Sequence, residues 1–239
     1  MTEAPFAEAE NIVTNMSGMI RQLPLDLPKA PPRYDRAAFV RSPANEAAWR
    51  AGEAWLASGE PVLAVCGPSG AGKTHFVRAL TEGLSPALTR AKDFASAPLA
   101  PLVIVDDMPA EDPKAFLAVL ESGAVAGRRF ILAGEGRPSD WSMGLKDLRT
   151  RIEAAPRAVL AEPDEALIRA VIAKEFRDRQ VAVAPQVIEY AVPRLPLTFA
   201  AARAFVTLAD TAALEEKRSI TTPFVQKLLD NLSEGDPAP

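Results

Sequence analysis

Residues 61–74 read Pro61-Val62-Leu63-Ala64-Val65-Cys66-Gly67-Pro68-Ser69-Gly70-Ala71-Gly72-Lys73-Thr74. The apolar run from Val62 to Cys66 has the length and composition of a strand buried on both faces. It leads directly into a match to G-x-x-x-x-G-K-T, and a helix is expected from Lys73 to about Leu84. The glycines let the backbone curl so that successive N–H groups point inward, which makes a cradle for phosphate oxygens. The helix that begins there adds the positive end of its dipole. In that arrangement Gly67, Pro68, Ser69, Gly70, Ala71 and Gly72 form the cradle, Lys73 reaches the β- and γ-phosphates, and Thr74 ligates Mg²⁺. The cofactor implied is ADP or ATP with Mg²⁺.

Downstream, Leu102-Val103-Ile104-Val105-Asp106-Asp107 is a second buried-strand pattern ending in two acids. An acid at the carboxyl end of a parallel strand lies where open α/β sheets bind their ligands. Asp106 is therefore expected in the Mg²⁺ shell, with Asp107 orienting or activating the attacking water. A third strand, Arg129 to Ala133, leads to Gly134-Glu135-Gly136-Arg137, where Glu135 is the nearest candidate sensor of the γ-phosphate. Further strands are expected at Ala87 to Thr89 and Arg157 to Leu160. Helices are expected from Pro43, over Pro113 to Ala124, and over Leu145 to Ile152, where Leu148 and Ile152 face inward and Arg151 projects outward. Strands alternating with helices predict an α/β fold, a parallel sheet with helices on both faces.

After Glu162 the strand patterns stop. Helices are expected from Pro163-Asp164-Glu165 to Arg179, Pro185 to Pro193, Thr198 to Glu216, and from Thr221-Thr222-Pro223 onward, which makes a small four-helix all-α domain. The organisation predicted is an N-terminal segment at 1–42, an α/β core at 43–161, a helical lid at 162–232 and a tail at 233–239. The N-terminal segment is proline-rich and holds one apolar island, Gln22-Leu23-Pro24-Leu25-Asp26-Leu27.

The composition narrows the chemistry. The chain has 239 residues, 48% of them apolar, and a formal net charge of −4, which argues against tight nonspecific nucleic-acid binding. One cysteine and one histidine leave no thiolate-rich metal site and little room for a histidine cluster. The apolar stretches are strand-sized, below the ~20 residues of a membrane span, so no membrane partner is expected. No export signal is read at the N-terminus, and a cytoplasmic protein is expected.

The phosphate loop followed by His75, the Asp106-Asp107 strand and the segment Asp147-Leu148-Arg149-Thr150-Arg151-Ile152 together resemble the ATPase core of bacterial DnaA-type replication initiators, of the AAA+ class. Upstream, Tyr34-Asp35 and Phe39-Val40-Arg41-Ser42-Pro43-Ala44-Asn45 are similar to the family's segment near the adenine, with Ser42 where a glycine is more usual. The resemblance implies that Phe39, Val40, Asn45 and His75 contribute to the nucleotide site. It extends through a lid ending near Leu232, without the initiators' helix-turn-helix domain, so no direct sequence-specific DNA binding is expected.

Within that class the chain resembles the Hda family of regulatory inactivators, whose clamp-binding motif Q-L-x-L-x-L matches Gln22, Leu23, Leu25 and Leu27. The resemblance implies two partners, the DNA polymerase sliding clamp and a DnaA-type initiator, and leaves room for a homo-oligomer. It implies that Arg151 is an arginine finger acting in trans on initiator-bound ATP. Aligning Phe205 to Leu208 with the family puts Ala202 at the lid position where members often carry a phosphate-reaching arginine, and Arg203, one residue later, is the lid residue expected at the nucleotide. That departure predicts weak or no ATP hydrolysis by this chain itself. The same core could instead serve a helicase-loader or adaptor ATPase, or a phosphate-loop small-molecule kinase.

Overall fold

A computed structural model of the protein describes residues 34–96, 100–139, 141 and 144–233. Two compact units divide the chain, one over Pro32–Glu162 and one from Pro163 onward. The first unit begins before the helix that opens at Pro43, so Tyr34 to Ser42 lies within it.

In chain order the first unit contains α1 (Pro43–Ala57), β1 (Val62–Cys66), α2 (Lys73–Leu80), β2 (Ala87–Arg90), a 3₁₀ turn (Ala91–Ser96), β3 (Leu102–Met108), α3 (Pro113–Val125), β4 (Arg129–Gly134), α4 (Lys146–Ala154) and β5 (Arg157–Val159). The five strands form one parallel sheet in the order β2-β3-β4-β1-β5. Strand β4 thus stands between β1, which feeds the phosphate loop, and β3, which carries the two acids.

Alternation along the strands distributes side chains between two faces, because successive residues point to opposite sides of the pleat. Val62, Ala64, Cys66, Val103, Val105, Phe130 and Leu132 pack with Phe94, Phe116, Leu120, Leu148 and Ile152 of the 3₁₀ turn, α3 and α4. Leu63, Val65, Ile104, Ile131 and Ala133 pack with Trp49, Trp55, Phe76, Val77 and Leu80 of α1 and α2. Both faces are therefore covered, which is why these strands read as continuous apolar runs.

The ends of the elements follow local chemistry. Asp112 caps α3 through bonds from Lys114 N and Ala115 N, with Pro113 in the first turn. Helix α2 stops at Leu80, short of the expected Leu84, as Gly83 and Ser85 take positive φ. Arg129, at the start of β4, ties that strand to the end of α1. Its guanidinium stacks 3.8 Å from the centroid of a Trp55 ring and donates to the carbonyls of Trp55, Leu56 and Glu60. Arg129→Ala removes those bonds and the packing of the stem, and should destabilise the protein by about 1–3 kcal/mol in denaturant unfolding.

The second unit contains α5 (Glu165–Asp178), α6 (Pro185–Ala191) with a 3₁₀ turn (Val192–Arg194), α7 (Phe199–Glu216) and α8 (Thr222–Ser233). Asp164 and Thr198 cap α5 and α7. Its interior includes Leu167, Ile168, Ile172, Phe176, Val187, Phe205, Val206 and Val225, all buried. No helix among the described residues is long and apolar enough to cross a membrane.

Candidate functional site

The loop between β1 and α2 has the backbone its sequence requires. Gly67 has φ +157°, and a Cβ there would sit 2.4 Å from the Leu160 carbonyl oxygen, a backbone atom that cannot swing aside. Gly72, the residue before α2, is left-handed with φ 86°, a conformation glycine adopts without steric penalty. Pro68 is half-buried, Ser69 and Gly70 are exposed, and Ala71 is buried in the core behind the loop. No side chain caps α2, so its first N–H groups remain for a ligand at the open side of the loop.

Lys73 is half-buried, and its ammonium donates to the carbonyls of Gly67 at 3.0 Å and Pro68 at 2.8 Å. Burial lowers its pKa from the ordinary lysine value, while the carboxylates of Glu135, Asp106 and Asp107 act in the opposite direction. Glu135 directly follows β4 and the two aspartates sit near the end of β3, so the sheet order sets all three where they act on the lysine. Thr74 Oγ1 donates to Asp106 Oδ2 at 2.8 Å, and Asp106 Oδ1 accepts from the Asp107 N–H at 3.1 Å. The Asp106 carboxylate is thereby oriented through both oxygens.

This donor set fits Mg²⁺. A hydroxyl and a carboxylate oxygen side by side are hard ligands, and Mg²⁺ characteristically takes one or two such groups plus phosphate and water. Among the described residues no group of three or more His, Cys, Asp or Glu could hold a metal on its own.

Asp106 and Asp107 do not follow β3, as the sequence pattern suggests, but lie within it, since the strand runs on to Met108. The register against β4 shifts between Val105 and Met108, and Asp107 takes φ +63° in that irregularity. A bulge of this kind redirects a side chain. The Asp107 carboxylate is largely exposed and faces the Arg90 guanidinium, 3.7 Å away at the end of β2. Arg90 is a neighbour that no sequence motif announces. Only the pairing of β2 with β3, which sets Arg90 opposite Asp106, reveals it.

The lead-in to α1 gathers on the same unit. Phe39 stacks on Trp49 with centroids 4.9 Å apart, and Phe39 and Tyr34 each present an edge contact to His75, at 5.3 and 5.5 Å. Asn45 is buried. Its amide donates to the Val40 carbonyl at 2.9 Å, and its oxygen accepts from Ser42 N–H at 3.0 Å. Asn45 thus fixes the path of Phe39 and Val40 beside the first turn of α2. Arg41 and Arg50 hydrogen-bond to Glu46 and hold its carboxyl below the usual range.

Leu148 and Ile152 are buried, as their spacing predicts. Arg151 is not simply projecting into solvent. Its Nη2 donates to Glu121 Oε1 of α3 at 2.9 Å. In the second unit Ala202 is buried and Arg203 lies 3.5 Å from Glu175. The structure therefore brings Lys73, Thr74, Asp106, Asp107 and Glu135 together in one unit, with Arg203 in the other. Gln22, Leu23, Leu25 and Leu27 lie outside the described residues.

Domain III of the Thermotoga maritima replication initiation protein DnaA superposes with a TM-score of 0.70 at 15% identity, over 84% of this chain and 97% of that one. AMPPCP-bound DnaA from Aquifex aeolicus gives 0.65 at 19% identity, over 77% and 67%. A Thermotoga maritima RuvB mutant gives 0.63 at 17%, over 83% and 72%. No protein-family model and no curated protein sequence matches the chain. The fold is that of an α/β AAA+ core with a helical lid, of the kind seen in DnaA.

Proposed function

We propose that this chain is a nucleotide-binding regulator of a DnaA-type replication initiator. It binds ADP or ATP with Mg²⁺ through Gly67 to Thr74 and Asp106, docks on the DNA-loaded sliding clamp through Gln22, Leu23, Leu25 and Leu27, and promotes hydrolysis of the initiator's ATP. The observation that carries the reading is Arg151: a permanently charged fork on a short helix, α4, whose apolar residues are buried in an initiator-like core. The guanidinium is half-exposed and lies at the surface of its unit. A guanidinium supplied in trans to a partner's γ-phosphate neutralises transition-state charge and needs no proton transfer.

The chain's own residues support binding better than turnover. Lys73 and the loop N–H groups suit phosphate oxygens, and Thr74 with Asp106 suits the metal; a bound nucleotide would supply the polyphosphate that completes the metal's shell. Asp107, the expected water-orienting acid, faces Arg90 instead of standing alone, and Ala202 offers no charge from the lid. The shared fold with an AMPPCP-bound DnaA supports the nucleotide reading.

The test is turnover of initiator-bound ATP with and without this protein and DNA-loaded clamp. The docking step has its own prediction. Gln22→Ala with Leu25→Ala should abolish co-elution with the clamp and leave the melting temperature unchanged. Retained co-elution would remove the island as the docking motif, and a large loss of stability would mean the segment packs on the folded units.

A further inference from the structure

Two arginines lie on α4 two residues apart, and their partners differ in kind. Arg149 pairs with Glu153 along its own helix, at 2.9 Å. Arg151 pairs with Glu121, which is thirty residues earlier and on a different helix. Both helices are seated in one core: Phe116 and Leu120 of α3 pack in the same cluster as Leu148 and Ile152 of α4. Gly123 of α3 lies so close to Phe130 that a Cβ would come within 2.3 Å of the ring. The helices that carry Arg151 and Glu121 are therefore packed side by side, and the fold keeps the two side chains within reach of each other.

Among the described residues, the bond that Glu121 accepts from Arg151 is made through Nη2. A carboxylate at that distance cancels the charge that suits Arg151 for a polyphosphate, and it would repel the same phosphate. We propose that Glu121 is a restraint on Arg151: it holds the guanidinium as a neutral surface pair in the free protein, and Arg151 engages a partner's nucleoside triphosphate only by leaving it. The inference rests on the trans-acting role proposed above. Both side chains are about half-exposed, 43% and 50%, so the restraint is weak, shiftable by partner docking and screened by salt.

The test uses the full chain with Glu121→Gln, which keeps the shape and removes the charge. Arginine modification by phenylglyoxal, mapped residue by residue by mass spectrometry, reads the pairing without any partner. Arg151 should react about two- to fivefold faster in the variant at low ionic strength, the difference shrinking as salt rises, while the rate at Arg149 stays the same. Stimulation of initiator-bound ATP hydrolysis at subsaturating protein should rise by a similar factor, and the rise should vanish in an Arg151→Ala background. Equal modification rates at Arg151, reduced stimulation, or a gain that survives Arg151→Ala would each overturn the restraint. If Arg151→Ala alone leaves stimulation intact while Glu121→Gln still speeds modification, the trans-acting role falls and the restraint on the side chain stands.

Discussion

Lys73→Ala should lower affinity for Mg²⁺–ADP and Mg²⁺–ATP by about 100-fold or more, with the fold retained. The ammonium now bonds to the Gly67 and Pro68 carbonyls, at the mouth of a loop whose glycines leave no side chain in the way. Burial makes its charge costly there, and the carboxylates of Glu135, Asp106 and Asp107 only partly offset that cost. A polyphosphate supplies the missing anionic partner, and the lysine exchanges two neutral carbonyls for charged oxygens, which are the stronger acceptors. Removing the ammonium relieves the cost of its burial and also takes a cation from beside Glu135, Asp106 and Asp107. The two effects oppose each other, so unfolding should be little affected. Calorimetric titration reads the loss directly. Unchanged affinity would remove the nucleotide site from the account.

Arg151→Ala has the second large effect, on a different readout. Stimulation of the initiator's ATP hydrolysis should fall steeply, by ~10³-fold or more, since arginine fingers contribute ~10³–10⁵ in rate. Nucleotide affinity should stay near normal, because the Arg151 side chain is engaged with Glu121 of α3 while the phosphate-loop bonds run among Gly67, Pro68, Lys73, Thr74 and Asp106. Clamp affinity should too, since the proposed docking motif is Gln22 to Leu27. Stability should change by no more than about 1 kcal/mol, the usual scale of a half-exposed ion pair such as that with Glu121. Lysine should rescue poorly, since a compact ammonium cannot present two parallel donors to two phosphate oxygens. Arg149→Ala is the control, its side chain being engaged with Glu153 along α4.

How much of this was legible in the sequence depends on how far apart the cooperating residues lie. The strand, glycine loop and lysine of residues 62–74 are contiguous, and each imposes a local requirement: Gly72 at φ 86° and Gly67 against Leu160 are positions that reject a Cβ. The α/β alternation was readable because strands covered on both faces are apolar throughout. The bulge at Asp107 was not, as nothing in Val105-Asp106-Asp107-Met108 signals that β3 continues past the acids. Arg90 beside Asp107 and Glu121 beside Arg151 depend on strand order and helix packing, which no local spacing encodes. The resemblance places Asn45 at the nucleotide site; that its buried amide also braces the Val40 to Ser42 backbone is visible only from the hydrogen bonds.

In the proposed function this chain acts on a nucleotide bound by another ATPase. The most direct measurement is single-turnover hydrolysis of labelled ATP preloaded on a DnaA-type initiator, with this protein bound to ADP and with sliding clamp loaded on DNA. Hydrolysis should accelerate only when protein and loaded clamp are both present, and the acceleration should be lost with Arg151→Ala and with the Gln22, Leu25 double substitution. Hydrolysis at the initiator's basal rate in the complete mixture, with the protein folded, nucleotide-bound and on the clamp, would contradict it.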